Sequence, residues 1–124
     1  MSLRITDVSL TLGDGDQQIT ALDHVSLEVQ PGELLAVVGP SGSGKSSLLA
    51  VVGGLRAPTS GRIVLGGIDI TGLKPEQLTT VRRERIGFIF QQSNLVPSLT
   101  ALDQLLLTVH LRGRSPGKAD REKA

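Results

Sequence analysis

Cysteine, tyrosine and tryptophan are absent from the chain, and phenylalanine occurs only twice. Without cysteine there is neither a disulfide framework nor a thiolate metal site, a pattern that fits a reducing compartment. So thin an aromatic inventory leaves almost no ring on which a planar ligand could stack. Long apolar runs are also missing. None is longer than residues 34–38, far short of the roughly 18 residues of a membrane span, and the opening MSLRITDVSLTLGDGDQQ alternates polar and apolar residues where a signal peptide would be continuously apolar. Nor is there an excess of either charge. Thirteen Lys and Arg against twelve Asp and Glu leave a net +1, which argues against wrapping nucleic acid or coating an anionic membrane, so any anion must be held locally.

What remains is the profile of a globular chain: 39% hydrophobic and 20% charged residues over 124 positions, enough for one domain or a portion of a larger one. Residues 5–12 and 22–29 alternate with the period of half-buried strands, and the Gly- and Asp-rich stretch 13–18 between them predicts a hairpin. Pro31-Gly32-Glu33 then turns the chain into residues 34–38, apolar on both faces and too short for a helix, which predicts a buried parallel strand. A helix is expected from Lys45 (KSSLLAVV), ended by Gly53-Gly54. Residues 62–65 and 68–70 read as strands joined by a tight Gly66-Gly67 turn. Residues 75–83 read as a short surface helix opened by Pro75, and residues 86–90 as a second compact apolar strand. A polar loop to Ser98 leads to Thr100-Ala101-Leu102-Asp103, a cap for a helix whose apolar face carries Leu102, Leu105, Leu106 and Val109. Residues 112–123 read as a solvated, frayed segment. No internal repeat is visible.

The chemistry is concentrated between the expected strand at 34–38 and the helix at Lys45. There Gly39-Pro40-Ser41-Gly42-Ser43-Gly44-Lys45-Ser46 fits G-x-x-x-x-G-K-[ST], in the strand-then-helix context that the motif needs. A polyphosphate needs many donors at close range. Small residues let consecutive backbone N–H groups face it, and the following helix offers unpaired N–H groups and the positive end of its dipole. Lys45 adds a mobile charge for the β- and γ-phosphates, Ser46 a hydroxyl for the Mg²⁺ bridging them, and Ser47 a hydroxyl for the α-phosphate. The alternative is a glycine-rich turn with a chance lysine. These residues point to a nucleoside triphosphate with Mg²⁺, very much in the manner of ATP sites, but they fix the ligand better than the reaction.

Ala21 to Val29, GPSGSGKSSLL from Gly39, PTSGRIVLGGIDI from Pro58 and IGFIFQQSNLVPSLTALDQL from Ile86 together closely resemble the ATP-binding subunits of ABC transporters, over almost the whole chain to about Gly113. The Leu-Val-Pro-Ser-Leu-Thr-Ala segment looks most like subunits of lipoprotein-release and macrolide-export systems. The resemblance implies an α/β fold of the P-loop nucleoside triphosphate hydrolase type. Antiparallel β parts would lie at about 3–30 and 62–70, a P-loop core at about 34–54 and 86–91, and the start of a helical subdomain at about 100–124. It also implies ATP and Mg²⁺ as ligands and Lys45 and Gln91 as catalytic residues. Gln91, with Gln92 as the register alternative, would complete the Mg²⁺ shell beside Ser46 or hold the attacking water. Its loop would face integral membrane subunits, a second ATP-binding subunit would form a dimer, and the protein would be cytoplasmic, peripheral at the inner face of the cell membrane. Nucleic acid is not an implied partner.

Two departures from the family pattern stand out. The position of the adenine-stacking aromatic falls on Leu12, which implies weaker binding and poorer discrimination among bases. The LSGGQ signature, the apolar strand ending in Asp-Glu and the later histidine have no counterpart in residues 1–124: no two acidic residues are adjacent, Asp69 follows a glycine-broken strand, and His24 and His110 read as ordinary surface or half-buried residues. The resemblance therefore implies the N-terminal portion of one ATP-binding domain, a truncated product or a fragment. Its core sheet would be incomplete, and alone it would be poorly stable and bind nucleotide without turning it over. A non-hydrolysing nucleotide switch, or another P-loop enzyme such as a kinase or GTPase, remains the alternative. Against these two enzymes, there is no Asn-Lys-x-Asp segment to read guanine and no arginine-rich lid.

Overall fold

The computed structural model describes the chain except for Asp14, Asp16, Ser93, Asn94, Arg112, Arg114, Ser115, Pro116 and Ala124 and the side chain of Lys123. Parts of the expected 13–18 turn, of the polar loop before Ser98 and of the 112–123 segment thus lie outside the described residues. The chain forms two compact units, Met1–Ile86 and Gly87–Ala124.

The first unit is built on a four-stranded antiparallel sheet of order β2-β1-β3-β4, with β1 Leu3–Leu12, β2 Ile19–Val29, β3 Ser60–Leu65 and β4 Ile68–Asp69. The expected hairpin forms, with Leu3 opposite Val29 and Leu12 opposite Ile19. The Gly66-Gly67 turn also forms, with φ of 55° and 83°, the pair of positive values that a two-residue hairpin needs and glycine supplies without strain. Alternation places Ile5, Val8 and Leu10 of β1, Leu22 of β2 and Ile63 and Leu65 of β3 in one core with Leu48 and Val51 of α1 (Lys45–Val52) and Val81 of α2 (Pro75–Arg85). The helix α1 ends at Gly53 and Gly54, and a Cβ on Gly54 would lie 2.8 Å from Leu78 Cδ1 of α2. Arg82 of α2 reaches back to the Gly54 carbonyl at 3.4 Å, so the two helices meet at Gly54, whose φ of 65° favours glycine.

The β1–β2 ladder is interrupted by register shifts that periodicity did not foretell. Asp7 and His24 both take positive φ, 53° and 48°. The N–H groups that these irregularities free from the ladder are met reciprocally. Asp7 N–H donates to Ser26 Oγ at 2.9 Å, and His24 N–H donates to Ser9 Oγ at 3.0 Å.

Two expected strands do not form. Residues 34–38 belong to no strand, and Leu34 is 95% and Val38 87% exposed. Residues 86–90 likewise belong to no strand, and Phe88 and Phe90 stack on each other with ring centroids 5.6 Å apart. An apolar run reports a demand for burial, whereas a strand exists only through a ladder, and among the described residues no strand pairs with either run.

In the second unit, α3 spans Ala101–Leu111 and α4 spans Lys118–Lys123. Thr100 caps α3, its Oγ1 accepting from Asp103 N–H at 3.2 Å and donating to Asp103 Oδ2 at 2.6 Å. Gln104 clasps Val96 from both sides, donating to its carbonyl and accepting from its N–H. Of the expected apolar face, Leu106 is buried, while Leu102 and Leu105 remain exposed. The frayed reading of residues 112–123 is corrected at Lys118–Lys123, which is helical. Asp120 Oδ2 accepts from Gly117 N–H at 2.9 Å and so satisfies a donor ahead of the first turn.

Candidate nucleotide-binding site

Residues 39–44 lead without regular structure into α1, and glycine is required at defined points of that path. Gly42 and Gly44 take φ of 80° and 88°, the left-handed region that costs a Cβ-bearing residue about 1–2 kcal/mol. At Gly44 the reason is also steric. A Cβ there would stand 2.4 Å from the Ala21 carbonyl oxygen and 3.4 Å from Leu22 Cδ2, so glycine lets the loop press on β2. Ser43 N–H donates to the Pro40 carbonyl at 3.3 Å and closes the turn inside the loop.

The helix that follows presents donors. Its first i→i−4 bond runs from Leu48 N–H to Gly44 O at 2.8 Å, so the N–H groups of Lys45, Ser46 and Ser47 precede the intrahelical ladder. No side chain caps this end and no acidic residue lies in the first turn, leaving the positive end of the helix dipole uncompensated. Burial of Leu48 and Val51 pins the same helix to the core. The opening is therefore held in place from one side and open on the other: Ser41, Gly42, Ser43 and Ser46 are exposed, and Ser47 is half-buried.

Lys45 folds back over the loop. Its Nζ donates to the Gly39 carbonyl at 2.8 Å, to the Pro40 carbonyl, and to Ser43 Oγ at 3.2 Å. A full positive charge is thus held on the carbonyls of the loop that leads into α1. Gly39, Pro40, Ser41, Gly42, Ser43, Gly44, Lys45, Ser46 and Ser47 all lie in the first unit. Leu12 lies there too, half-buried at the end of β1 and paired with Ile19, two residues before the Ala21 that Gly44 abuts. Gln91 and Gln92 belong to the second unit, exposed and in neither helix nor strand.

Other polar groups weighed from the sequence are engaged elsewhere. Asp69 accepts from Arg62 Nε at 2.6 Å and from Thr71 N–H at 3.0 Å, contacts that hold its carboxyl below the usual range and tie it into the β3–β4 hairpin. His24 is exposed, its Nδ1 2.7 Å from Asp7 Oδ1. That hydrogen bond, with the charges of Asp7 and Asp23, raises its pKa. Two features of the loop escaped sequence reasoning: the seat that Ala21 and Leu22 give Gly44, and the Ser43 hydroxyl on Lys45. The first is a contact across 23 positions with no local signal.

Comparison with known proteins agrees with this geometry. A family model described as ABC transporter matches residues 22–124. The ABC transporter ATP-binding protein MJ0796 of Methanocaldococcus jannaschii is 40% identical over 124 residues, covering 98% of this chain and 53% of that protein. The lipoprotein-releasing system ATP-binding protein LolD of Granulibacter bethesdensis is 39% identical over 119 residues, covering 96% and 52%. The macrolide export protein MacB of Vibrio parahaemolyticus is 45% identical over 100 residues, 81% of this chain and 15% of that one. A solved dimeric, post-hydrolysis structure of the MJ0796 cassette with ADP and Pi superposes with a TM-score of 0.88 at 39% identity, over 98% of this chain and 53% of that one. The chain spans about half the length of MJ0796 and LolD. Its fold is that of the P-loop ATPase cassettes, and with the family model matching most of its length, this chain belongs to the ABC transporter ATP-binding family.

Proposed function

We propose that the chain binds ATP with Mg²⁺ in the loop at residues 39–47, as part of an ATPase subunit that powers transport across a membrane. The observation that carries this reading is the Lys45 ammonium folded onto Gly39 O and Ser43 Oγ, beside the uncapped start of α1. A triphosphate laid there meets the N–H groups of the loop and the first helical turn, and it exchanges water for donors already in position. The residues present fit the ligand. Glycine at Gly39 and Gly44 lets the loop pack where a Cβ would collide with Ser43 or Ala21, and no carboxylate in the first turn repels the anion.

Each residue then has a task. Lys45 turns two of its three N–H groups from the Gly39 and Pro40 carbonyls to the β- and γ-phosphates. Ser46 offers its hydroxyl to the metal, and Ser47 its hydroxyl to the α-phosphate. Mg²⁺, when bound with the nucleotide, supplies positive charge against the phosphate oxygens; it keeps several waters and takes few protein ligands, so a single serine and one further oxygen suffice. Gln91 is the proposed further oxygen, and its loop the contact with integral membrane subunits. Leu12 gives the base an aliphatic surface in place of a ring. The relatives support the setting: MJ0796 was solved as a dimer with ADP and Pi, and LolD and MacB are named for lipoprotein release and macrolide export. A second ATP-binding subunit and a station at the inner face of the cell membrane follow from that reading.

Lys45→Ala tests it. The substitution removes a charge-assisted contact worth about 1.5–3 kcal/mol, so affinity for Mg-ATP should fall roughly tenfold to a hundredfold. Lys45→Arg should not restore it, because a broad planar fork replaces a point charge inside a narrow loop. Calorimetric titration of both variants reads the effect, and undiminished affinity in Lys45→Ala would refute the site.

A further inference from the structure

The contact between Ser43 and Lys45 is not required by the loop's backbone. An ammonium has three N–H donors, and here they meet two carbonyls, of Gly39 and Pro40, and one hydroxyl, of Ser43. The carbonyls are fixed by the path of the chain. The hydroxyl differs in kind, because it accepts through a lone pair and still owns a proton, which must point away from the ammonium. Among the described residues no acceptor takes that proton, so the loop contains one unspent side-chain donor next to its positive charge.

The position of that donor is set by a neighbour. Ser43 Oγ occupies the space that Gly39 leaves open: a Cβ on Gly39 would stand 2.9 Å from Oγ and 3.6 Å from Ser43 Cβ. Ser43 therefore closes the loop from its last x position back onto its first glycine, whose carbonyl Lys45 also holds. An anion that draws Lys45 Nζ toward it comes within reach of the same hydroxyl, since Oγ lies only 3.2 Å from Nζ.

We infer that Ser43 is a positioning and specificity residue for the terminal phosphate: its Oγ holds the Lys45 ammonium, and its O–H donates to the γ-phosphate oxygen that Lys45 reaches. The inference rests on the reading of residues 39–47 as a triphosphate site and adds a residue that tells a triphosphate from a diphosphate. Loss of the hydroxyl removes a donor that only the terminal phosphate uses, together with a brace on the Lys45 ammonium. Ser43 is exposed and outside the core, so its truncation to alanine leaves the fold intact.

The test is a set of calorimetric titrations of the full chain with Mg-ATP and, separately, Mg-ADP. Ser43→Ala should weaken Mg-ATP by about tenfold and Mg-ADP by less than about twofold, one charge-assisted hydrogen bond being at stake. Ser43→Thr, which keeps the hydroxyl, should restore the ratio of the two affinities. In a Lys45→Ala background the same substitution should cost markedly less, because brace and braced group act as a unit. Equal losses for both nucleotides, an unchanged ratio in Ser43→Ala, or failure of Ser43→Thr to restore it would each overturn the inference while leaving nucleotide binding standing. If the unsubstituted chain binds neither nucleotide, the site reading fails and the inference falls with it.

Discussion

Replacing Gly44 by alanine loads two separable costs onto one methyl group. The first is conformational: at φ 88° an L-residue pays about 1–2 kcal/mol for the left-handed region. The second is steric, because the new Cβ would be placed 2.4 Å from the Ala21 carbonyl oxygen, backbone of β2 that cannot swing aside as a flexible side chain would. Overpacking of that kind costs a further 1–3 kcal/mol or so, for a total of about 2–5 kcal/mol against a whole-domain stability on the order of 5–15 kcal/mol. Gly42→Ala is the internal control. Its φ is 80°, yet a Cβ there meets nothing within 4 Å, so it carries the first cost alone. At roughly 4–8 °C per kcal/mol for a unit of this size, thermal unfolding followed by circular dichroism should show Gly44→Ala at least about 4 °C below Gly42→Ala. Nucleotide affinity should follow the same order, since relief of the clash pushes the start of α1 off β2. Identical melting temperatures for the two variants would refute the claim that the loop is seated on Ala21.

Leu12→Tyr should tighten Mg-ATP binding by about tenfold at most, the worth of one stacked base. Inorganic tripolyphosphate should be unaffected, and an equal gain for both ligands would remove Leu12 from the base site. His24 should titrate above its ordinary 6.5, because the hydrogen bond and charge of Asp7, with Asp23, favour the imidazolium. A raised folded-state pKa means that the contribution is fully present below 6.5 and is lost as pH rises through the raised value. Melting curves across that window should converge for wild type and His24→Gln on the alkaline side, and a His24 pKa at or below 6.5 by NMR would contradict the paired-irregularity geometry.

Local signals served where local causes decide. Both strands of the first hairpin, the Gly66-Gly67 turn and the eight residues of α1 from Lys45 follow from alternation, paired positive-φ glycines and a helix ended by glycine, and all three were readable in the chain. Residues 34–38 and 86–90 were not, because composition states that Leu34, Val38 and Ile89 want burial but cannot say whether a partner strand exists. The positive φ of Asp7 and His24 was equally silent, since a shift in register depends on what the opposite strand does. At the candidate site, the motif names the loop residues, whereas the fold-back of Lys45 onto the Gly39 and Pro40 carbonyls comes from the structure. The contacts that set the loop in space, Gly44 on Ala21 and Ser43 on Gly39, join positions whose proximity no spacing rule encodes.

The central claim is that the triphosphate lies in the loop and on the start of α1, and backbone amide chemical shifts read this directly. On titration of the full chain with Mg-ATP, the amides of Gly42, Gly44, Lys45, Ser46 and Ser47 should move together and saturate with one binding constant, while Asp69, held by Arg62 and Thr71 in the β3–β4 hairpin, stays still. Saturable shifts confined to other parts of the chain, with the amides of residues 42–47 unmoved, would contradict the account.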